Sequence, residues 1–542
     1  MNKITLQRAT GLILLSLVVA ALYGQFVWNP IVFDDMYFFI DEGRGVQPLN
    51  RMAFSWLEPR SLPYSTLAWT KELFGLELIY FRLGNLGLHL LTSLVLYQLL
   101  KTVFTACYRP KSSLALDASQ AALLGAALFS LHPVATYAVG YLVQRTILMA
   151  TLFSLLTMLI YARAQLIGSR KLLWLCIPFY YFAVFSKEHA VMLFVVLLAM
   201  SILLSADWRT RLKAQWMPLT LMLCISVGVV VAKKQLLGAT YEMDAGRLLG
   251  EDMGPLPYPL SVITQCGLFF KYVALWLVPN INWMSIDMRE PFVRTLLSPH
   301  LLGVVAFVAW GALALYLLWQ RGHRGLVGMA LFFPWVLFFS ELASVRIQEP
   351  FVLYRSYLWA GGALLALPVA LNGLDKKLLV LVSTAVLVTF FASGMERLVT
   401  LSQPILLWAD ALKLVDETAA APGTERIYYN LGVSYMKGDR YKDAEFNLKK
   451  AIGINPESAA AHAALGGVYN VRQQWSEALT EYTRAHDIDQ KLGNPPNWRY
   501  FAGRARAHEG AGELKEAIAD YVLACGLEIK VCDNLRASAK KQ

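Results

Sequence analysis

The sequence predicts an all-α protein: a polytopic membrane helical bundle followed by a solenoid of repeated helix pairs. Three observations carry this. Of the 542 residues, 57% are apolar and 16% charged, whereas soluble domains carry about 25% charged residues. The apolar residues gather in runs close to the roughly 20 that a spanning helix needs. From about residue 425 the runs stop and a polar pattern with a 34-residue period begins. With a mean hydropathy of +0.46, a single soluble globule would expose too much apolar surface. A disordered chain is excluded because disorder requires low hydrophobicity.

The expected spans are residues 9–28, 82–104, 119–136, 144–165, 172–186, 188–205, 215–233, 300–319, 325–341, 353–372 and 377–395. The first follows Lys3 and Arg8 and lacks a small-residue cleavage site, so it reads as a retained helix. The stretch 261–279 carries Gln265 and Lys271 in its middle and reads as re-entrant or interfacial, which leaves eleven crossings. With that count, fifteen Lys and Arg against three Asp fall on the cytoplasmic side. Fifteen basic against sixteen acidic residues fall on the other. This satisfies the positive-inside rule. The expected site is a bacterial inner membrane, with the N-terminus cytoplasmic and the C-terminal part periplasmic. The basic balance of residues 1–395 then reflects cytoplasmic loops, and no nucleic acid partner is implied.

Residues 396–424 read as a linker helix and 425–530 as about three repeats, with 531–542 a tail. Tyr428, Leu431, Gly432, Tyr435, Ala444, Leu448, Ala451 and Pro456 fall at tetratricopeptide (TPR) spacing. His462, Leu465, Gly466, Tyr469, Ala478, Tyr482 and Ala485 follow 34 residues later. A third copy holds Phe501, Ala505, Ala517, Tyr521 and Ala524 after an insertion at 492–496. Six cysteines are too few for a disulfide scaffold, and none has zinc spacing. Cys525 and Cys532 would lie about 10 Å apart on one continuous helix. A turn after Gly526 brings them within bridging reach, so a disulfide is expected there.

Chemistry concentrates in the turns. Asp34 and Asp35 are adjacent carboxylates just past the first span; one of them can serve as a general base, its pKa raised by burial and a like-charged neighbour. The competing assignment is a loop acid that caps a short helix. Arg60 can hold a phosphate bidentately, or be an ordinary interface arginine. His132 precedes Pro133, and Arg145 opens an apolar helix. Lys187 and Glu188 sit between two spans and can pair with each other. Arg346, Glu349 and Arg355 share the expected external face with Asp34 and Asp35. A carboxylate facing cations suits transfer from an anionic, lipid-phosphate-linked donor. No P-loop, nucleotide-binding glycine motif, HExxH or nucleophile elbow occurs, which disfavours a nucleotide-driven pump.

In collinear order, Val32-Phe33-Asp34-Asp35, Arg60-Ser61-Leu62, Tyr80 to Asn85, Leu131 to Val134, Val143-Gln144-Arg145, Ser186-Lys187-Glu188, Tyr354 to Leu358 and the TPR tail resemble one family. It is the bacterial relatives of the transmembrane-and-TPR O-mannosyltransferases, in the C-type glycosyltransferase superfamily (GT-C). The resemblance implies a GT-C-like membrane domain over residues 1–395. It also implies a periplasmic glycosyltransferase that moves a sugar from a polyprenyl-phosphate donor to a Ser or Thr hydroxyl, with no metal or other cofactor. It gives Asp34 and Asp35 the acidic motif and Arg145, Lys187, Arg355 and Arg60 the donor phosphate, with His132 and Glu188 supporting. In this sequence Pro59-Arg60-Ser61-Leu62-Pro63 displaces the family's arginine-proline, and Tyr137 stands where relatives place an acid. The TPR array would bind the acceptor, such as a pilin or another secreted protein. The rival readings are a non-enzymatic membrane-anchored TPR adaptor for envelope or pilus assembly, and a transporter of lipid-linked sugars.

Overall fold

The computed structural model describes residues 3–33, 35–39, 49, 53–109, 116–232, 257–416, 421–528 and 531–539. The protein is all-α. Among the described residues an isolated antiparallel bridge between Met288 and Phe351 is the nearest thing to a strand. The chain divides into two compact units, Met1–Gln403 and Pro404–Gln542. The boundary expected at 395 falls inside a helix, Lys376–Thr400.

The first unit corrects the count of eleven spans. Six described helices are long and apolar enough to cross a membrane, or up to eight if each of two bent pairs is one span. The physical reasons differ. Residues 353–372 split into Leu353–Ser356, Tyr357–Ala363, Leu364–Ala366 and Leu367–Ala370, where three-ten turns interrupt the helix. Residues 188–205 spend their start in a three-ten turn, Glu188–Met192, which leaves a helix of twelve residues. The 119–136 run bends by 50° where His132-Pro133 breaks it. Conversely, Pro257–Leu277 is one 21-residue helix with the length and apolarity of a span. The eleven-crossing count took it as re-entrant, so its topology loses that premise.

Arg145–Ile167 lies at the centre of this unit, with most of its surface covered, whereas Leu301–Gln320 and Lys376–Thr400 lie at the outside. The outer helices expose Leu302, Val305, Val308, Val380, Leu381 and Val388, an apolar face of the kind a lipid phase covers. Gly328 lets the Gly322–Leu337 helix meet Leu301–Gln320 closely, since a Cβ there would lie 2.2 Å from the backbone nitrogen of Leu318.

The second unit is a TPR array, as the spacing predicts. Its A helices are Thr424–Lys437, Ala459–Val471 and Trp498–Gly510; its B helices are Tyr441–Ile454, Trp475–Lys491 and Leu514–Leu527. Each A-to-B turn uses one left-handed residue at the same register: Asp439, Gln473 and Gly512. The next residue's N–H then closes on a carbonyl five residues back: Arg440 on Tyr435 (2.9 Å), Gln474 on Tyr469 (2.9 Å) and Glu513 on His508 (2.8 Å). This satisfies carbonyls that a helix end leaves open. The second B helix runs to 17 residues, against 14 for the other two, so part of the extra length lies in the helix before the insertion expected at 492–496. Ala444, Leu448, Leu465, Ala478, Tyr482 and Tyr500 pack into one core.

Cys525 and Cys532 form a disulfide with their Cα atoms 4.8 Å apart. Gly526 does not end the helix, which runs on to Leu527; the chain reverses from Glu528, and Val531 N–H bonds the Glu528 carbonyl at 3.0 Å. The expected tail then forms a helix, Cys532–Ala539. Cys525→Ser is expected to cost about 2 kcal/mol by freeing this short loop and to speed amide exchange across 532–539. Unchanged exchange there would mean that the bridge holds nothing.

Candidate functional site

The first unit holds a partly open cavity of about 470 Å³, lined by Arg60, Lys187, Arg346 and Arg355, by Glu188 and Glu349, and by Tyr64, Gln144, His189 and Tyr354 among others. Five segments far apart in the chain meet here. Arg60 is the left-handed residue (φ 66°) before the Ser61–Phe74 helix, and its N–H bonds the Phe185 carbonyl at 2.6 Å. That clamp aims its guanidinium at Glu188, with Nε 3.0 Å from Oε2 and a second contact to Oε1. Glu188 therefore takes Arg60 as a partner, 128 residues away. Lys187 follows the helix end at Ser186, and its ammonium lies 5.7 Å from the centre of the Tyr354 ring.

Glu341 organises the opposite wall, although it is outside the lining. It is 1% exposed. Its carboxylate meets His189 Nε2 at 2.9 Å, Arg346 Nε at 3.4 Å and an Arg355 guanidinium nitrogen at 3.1 Å. Arg355 also donates to the Glu349 carbonyl at 3.4 Å. A buried charge this well surrounded is held in one place. Sequence reasoning did not single out Glu341. Its signal was an acid ending an apolar run, which is costly without a partner. Four cations against two carboxylates give the cavity lining a positive balance that suits a small anionic group.

Three expected site residues are elsewhere. Asp35 is fully buried and outside the cavity lining. The Leu142 and Val143 N–H groups donate to its carboxylate at 3.3 and 2.9 Å. Burial pushes its carboxyl up to about 7, against the opposing pull of the Val143 amide and the Arg82 guanidinium. Asp34 lies outside the described residues. Arg145 donates to Asn85 Oδ1 (2.9 Å), to the Phe81 carbonyl (2.8 Å) and to Thr66 and Thr70 hydroxyls (3.4 Å each). It is a buried tie between helices and does not line the cavity. His132 stacks on Trp276 with ring centres 4.2 Å apart. One ring nitrogen meets the Trp276 carbonyl at 3.1 Å and the other accepts from Val134 N–H at 3.2 Å, so both are used. Arg82 likewise binds the carbonyls of Asn29, Pro30 and Gly140 at 2.6–3.0 Å and fixes the first loop. Among the described residues no group of three or more His, Cys, Asp or Glu is placed to hold a metal.

Residues 425–458 match the family described as Tetratricopeptide repeat. Anaphase-promoting complex subunit 3 of Schizosaccharomyces pombe (strain 972 / ATCC 24843) is 33% identical over 64 residues, which cover 12% of this chain and 10% of that protein. Among solved structures, MamA MSR-1 C2 overlays 25% of this chain and 76% of its own at 20% identity, with a TM-score of 0.21. A chain of the APC/C hetero-tetramer Cut9-Hcn1 overlays 89% of this chain and 83% of its own at 12% identity, with a TM-score of 0.24. Scores of this size carry no argument about the whole fold. The glycosyltransferase expectation is overturned: the sequence matches are to a tetratricopeptide repeat and a subunit of a protein complex. In the structure Asp35 is sealed by backbone amides and Arg145 is occupied by four protein partners. The repeat array is thus the part of this chain that the comparisons speak for, and it is built as a tetratricopeptide array.

Proposed function

We propose that this chain is a membrane-anchored TPR adaptor whose second unit holds a protein partner. The observation that carries it is the array itself: consecutive helix pairs share one core, and each A helix keeps exposed positions, Lys437, Ala460 and Arg506 among them. A stacked repeat of this kind creates an extended binding surface. The exposed apolar faces of the outer helices of the first unit support a membrane anchor. The Cys525–Cys532 disulfide supports an oxidising compartment for the array, the periplasm in a bacterium. An envelope or pilus-assembly protein is the partner class of this reading.

Site-specific photo-crosslinking of the full chain in its membrane tests it. A crosslinker replacing Lys437, on the first A helix, or Ala460, on the second, is expected to form one discrete protein adduct. The same group at Lys450, on the first B helix, is expected to form none. Equal labelling from both positions, or no adduct from either A-helix position, would remove the adaptor reading.

A further inference from the structure

The last repeat departs from the other two on the outer side of its B helix. Four exposed positions recur in every B helix, at steps of 34 and then 39 residues. In the first repeat they hold Phe446, Lys449, Lys450 and Gly453, and in the second Thr480, Thr483, Arg484 and Asp487. In the third they hold Ala519, Val522, Leu523 and Gly526, with no charge and no polar side chain. Val522 and Leu523 are 52% and 51% exposed, and Leu527 beside them 47%. A solenoid needs a polar outer face where it ends. Val531 closes the inner side of this helix, packing with Phe501, Tyr521 and Ala524, and the outer stripe stays open.

That stripe fits a second copy of itself. Its residues are spaced three, one and three apart, so they share one face of the helix. They also read the same from either end: small, large, large, small. A two-fold interface sets one patch against itself and requires this self-complementarity. Two such helices, turned antiparallel about Val522 and Leu523, place Ala519 of each against Gly526 of the other. Small residues at the crossing let the two axes come close. A Cβ at Gly526 would meet nothing within 4 Å in its own chain, so that space is open to a neighbour. Lys515 and Glu516, at the start of the stripe, cancel and leave no net charge to draw an anionic lipid surface.

We infer that the Leu514–Leu527 helix pairs antiparallel with the same helix of a second copy of this chain. The stripe is smaller than the roughly 800 Å² per partner of a standard interface, so the pair forms where copies are held close together. A shared membrane does this by raising their effective concentration; here the inference rests on the membrane anchor of the adaptor reading. The contact uses a B helix and leaves the A-helix positions out, so one dimer presents two arrays.

Photo-crosslinking in the membrane tests it, with two differently tagged copies of the full chain. A crosslinker replacing Lys515 is expected to give an adduct carrying both tags, joined to the last turn of Leu514–Leu527 in the other copy. The same group at Ser476, the matching position of the second repeat, is expected to give none. Val522→Glu with Leu523→Glu places two carboxylates from each copy at the contact, and is expected to lower the two-tag adduct about tenfold. The melting temperature should not change, because both residues are exposed. Val522→Ser with Leu523→Ser adds no charge and is expected to lower the adduct several-fold. The inference is overturned by an adduct joined near Lys515 of the other copy, by equal adducts from Ser476, or by capture of lipid or a different protein in place of the second copy. An adduct that survives both double changes also overturns it. Discrete adducts from Lys437 and Ala460 without a two-tag adduct from Lys515 would end this inference and leave the adaptor reading standing. The reverse pattern would do the opposite.

Discussion

Glu341→Ala is expected to destabilise the first unit by about 3–5 kcal/mol, the usual cost of leaving a buried charge without its partner. Arg346, Arg355 and His189 converge on that one carboxylate within 3.4 Å, and all are buried. Removing it takes away the carboxylate that two buried guanidinium groups share in the wall of the cavity. Glu341→Gln keeps the shape and removes the charge, so it should lose most of the same amount. Replacing Glu349, which also lines the cavity, should cost much less. Thermal unfolding in detergent measures all three. If Glu341→Ala melts with the parent chain, water reaches this cluster and the buried-charge account is wrong.

Asp35→Ala should be the next most damaging change, at about 2–6 kcal/mol. It leaves the Leu142 and Val143 amides buried without an acceptor, and each unsatisfied group costs about 1–3 kcal/mol. Asp35→Asn should fall between, because its single oxygen can serve one amide well and its NH2 faces the other. The pH dependence has a definite sign. Burial lifts the folded carboxyl to about 7, above the roughly 3.9 of an unfolded chain. The folded state therefore keeps a proton that the unfolded state has released. This contribution to stability is complete below about pH 4 and is lost as pH rises through about 7. The melting temperature should decline over that window in the parent chain and decline less in Asp35→Asn. Parallel profiles would assign the titration to another group.

The candidate site was legible in part, and the reason lies in what a helix turn reveals. Arg60, Lys187, Glu188 and Arg355 each stand at a break between apolar segments, and the structure brings all four to one cavity. Arg145 and His132 stand at similar breaks and go elsewhere. Arg145 meets carbonyl and hydroxyl partners from two other helices, and His132 a tryptophan 144 residues away. A polar residue at a break announces that it needs a partner; it does not say whether a cavity or the protein supplies it. Glu341 shows the converse, since one acid at the end of an apolar run gives no hint of the two arginines and the histidine that collect around it.

By itself the sequence determined that the chain is helical and apolar in its first part, and that its second part repeats with a 34-residue period. Composition and periodicity are local properties, and a repeat packs only on its neighbours, so its register, its A-to-B turns and even the proximity of Cys525 and Cys532 follow from short stretches. Which apolar runs stay continuous, which carboxylate is sealed by amides and which collects arginines were decided only in the tertiary structure. Those outcomes depend on partners from distant segments: Asp35 on amides 107 and 108 residues away, and Arg60 on Glu188. No local pattern specifies who will satisfy a buried polar group; the packing of the whole unit does.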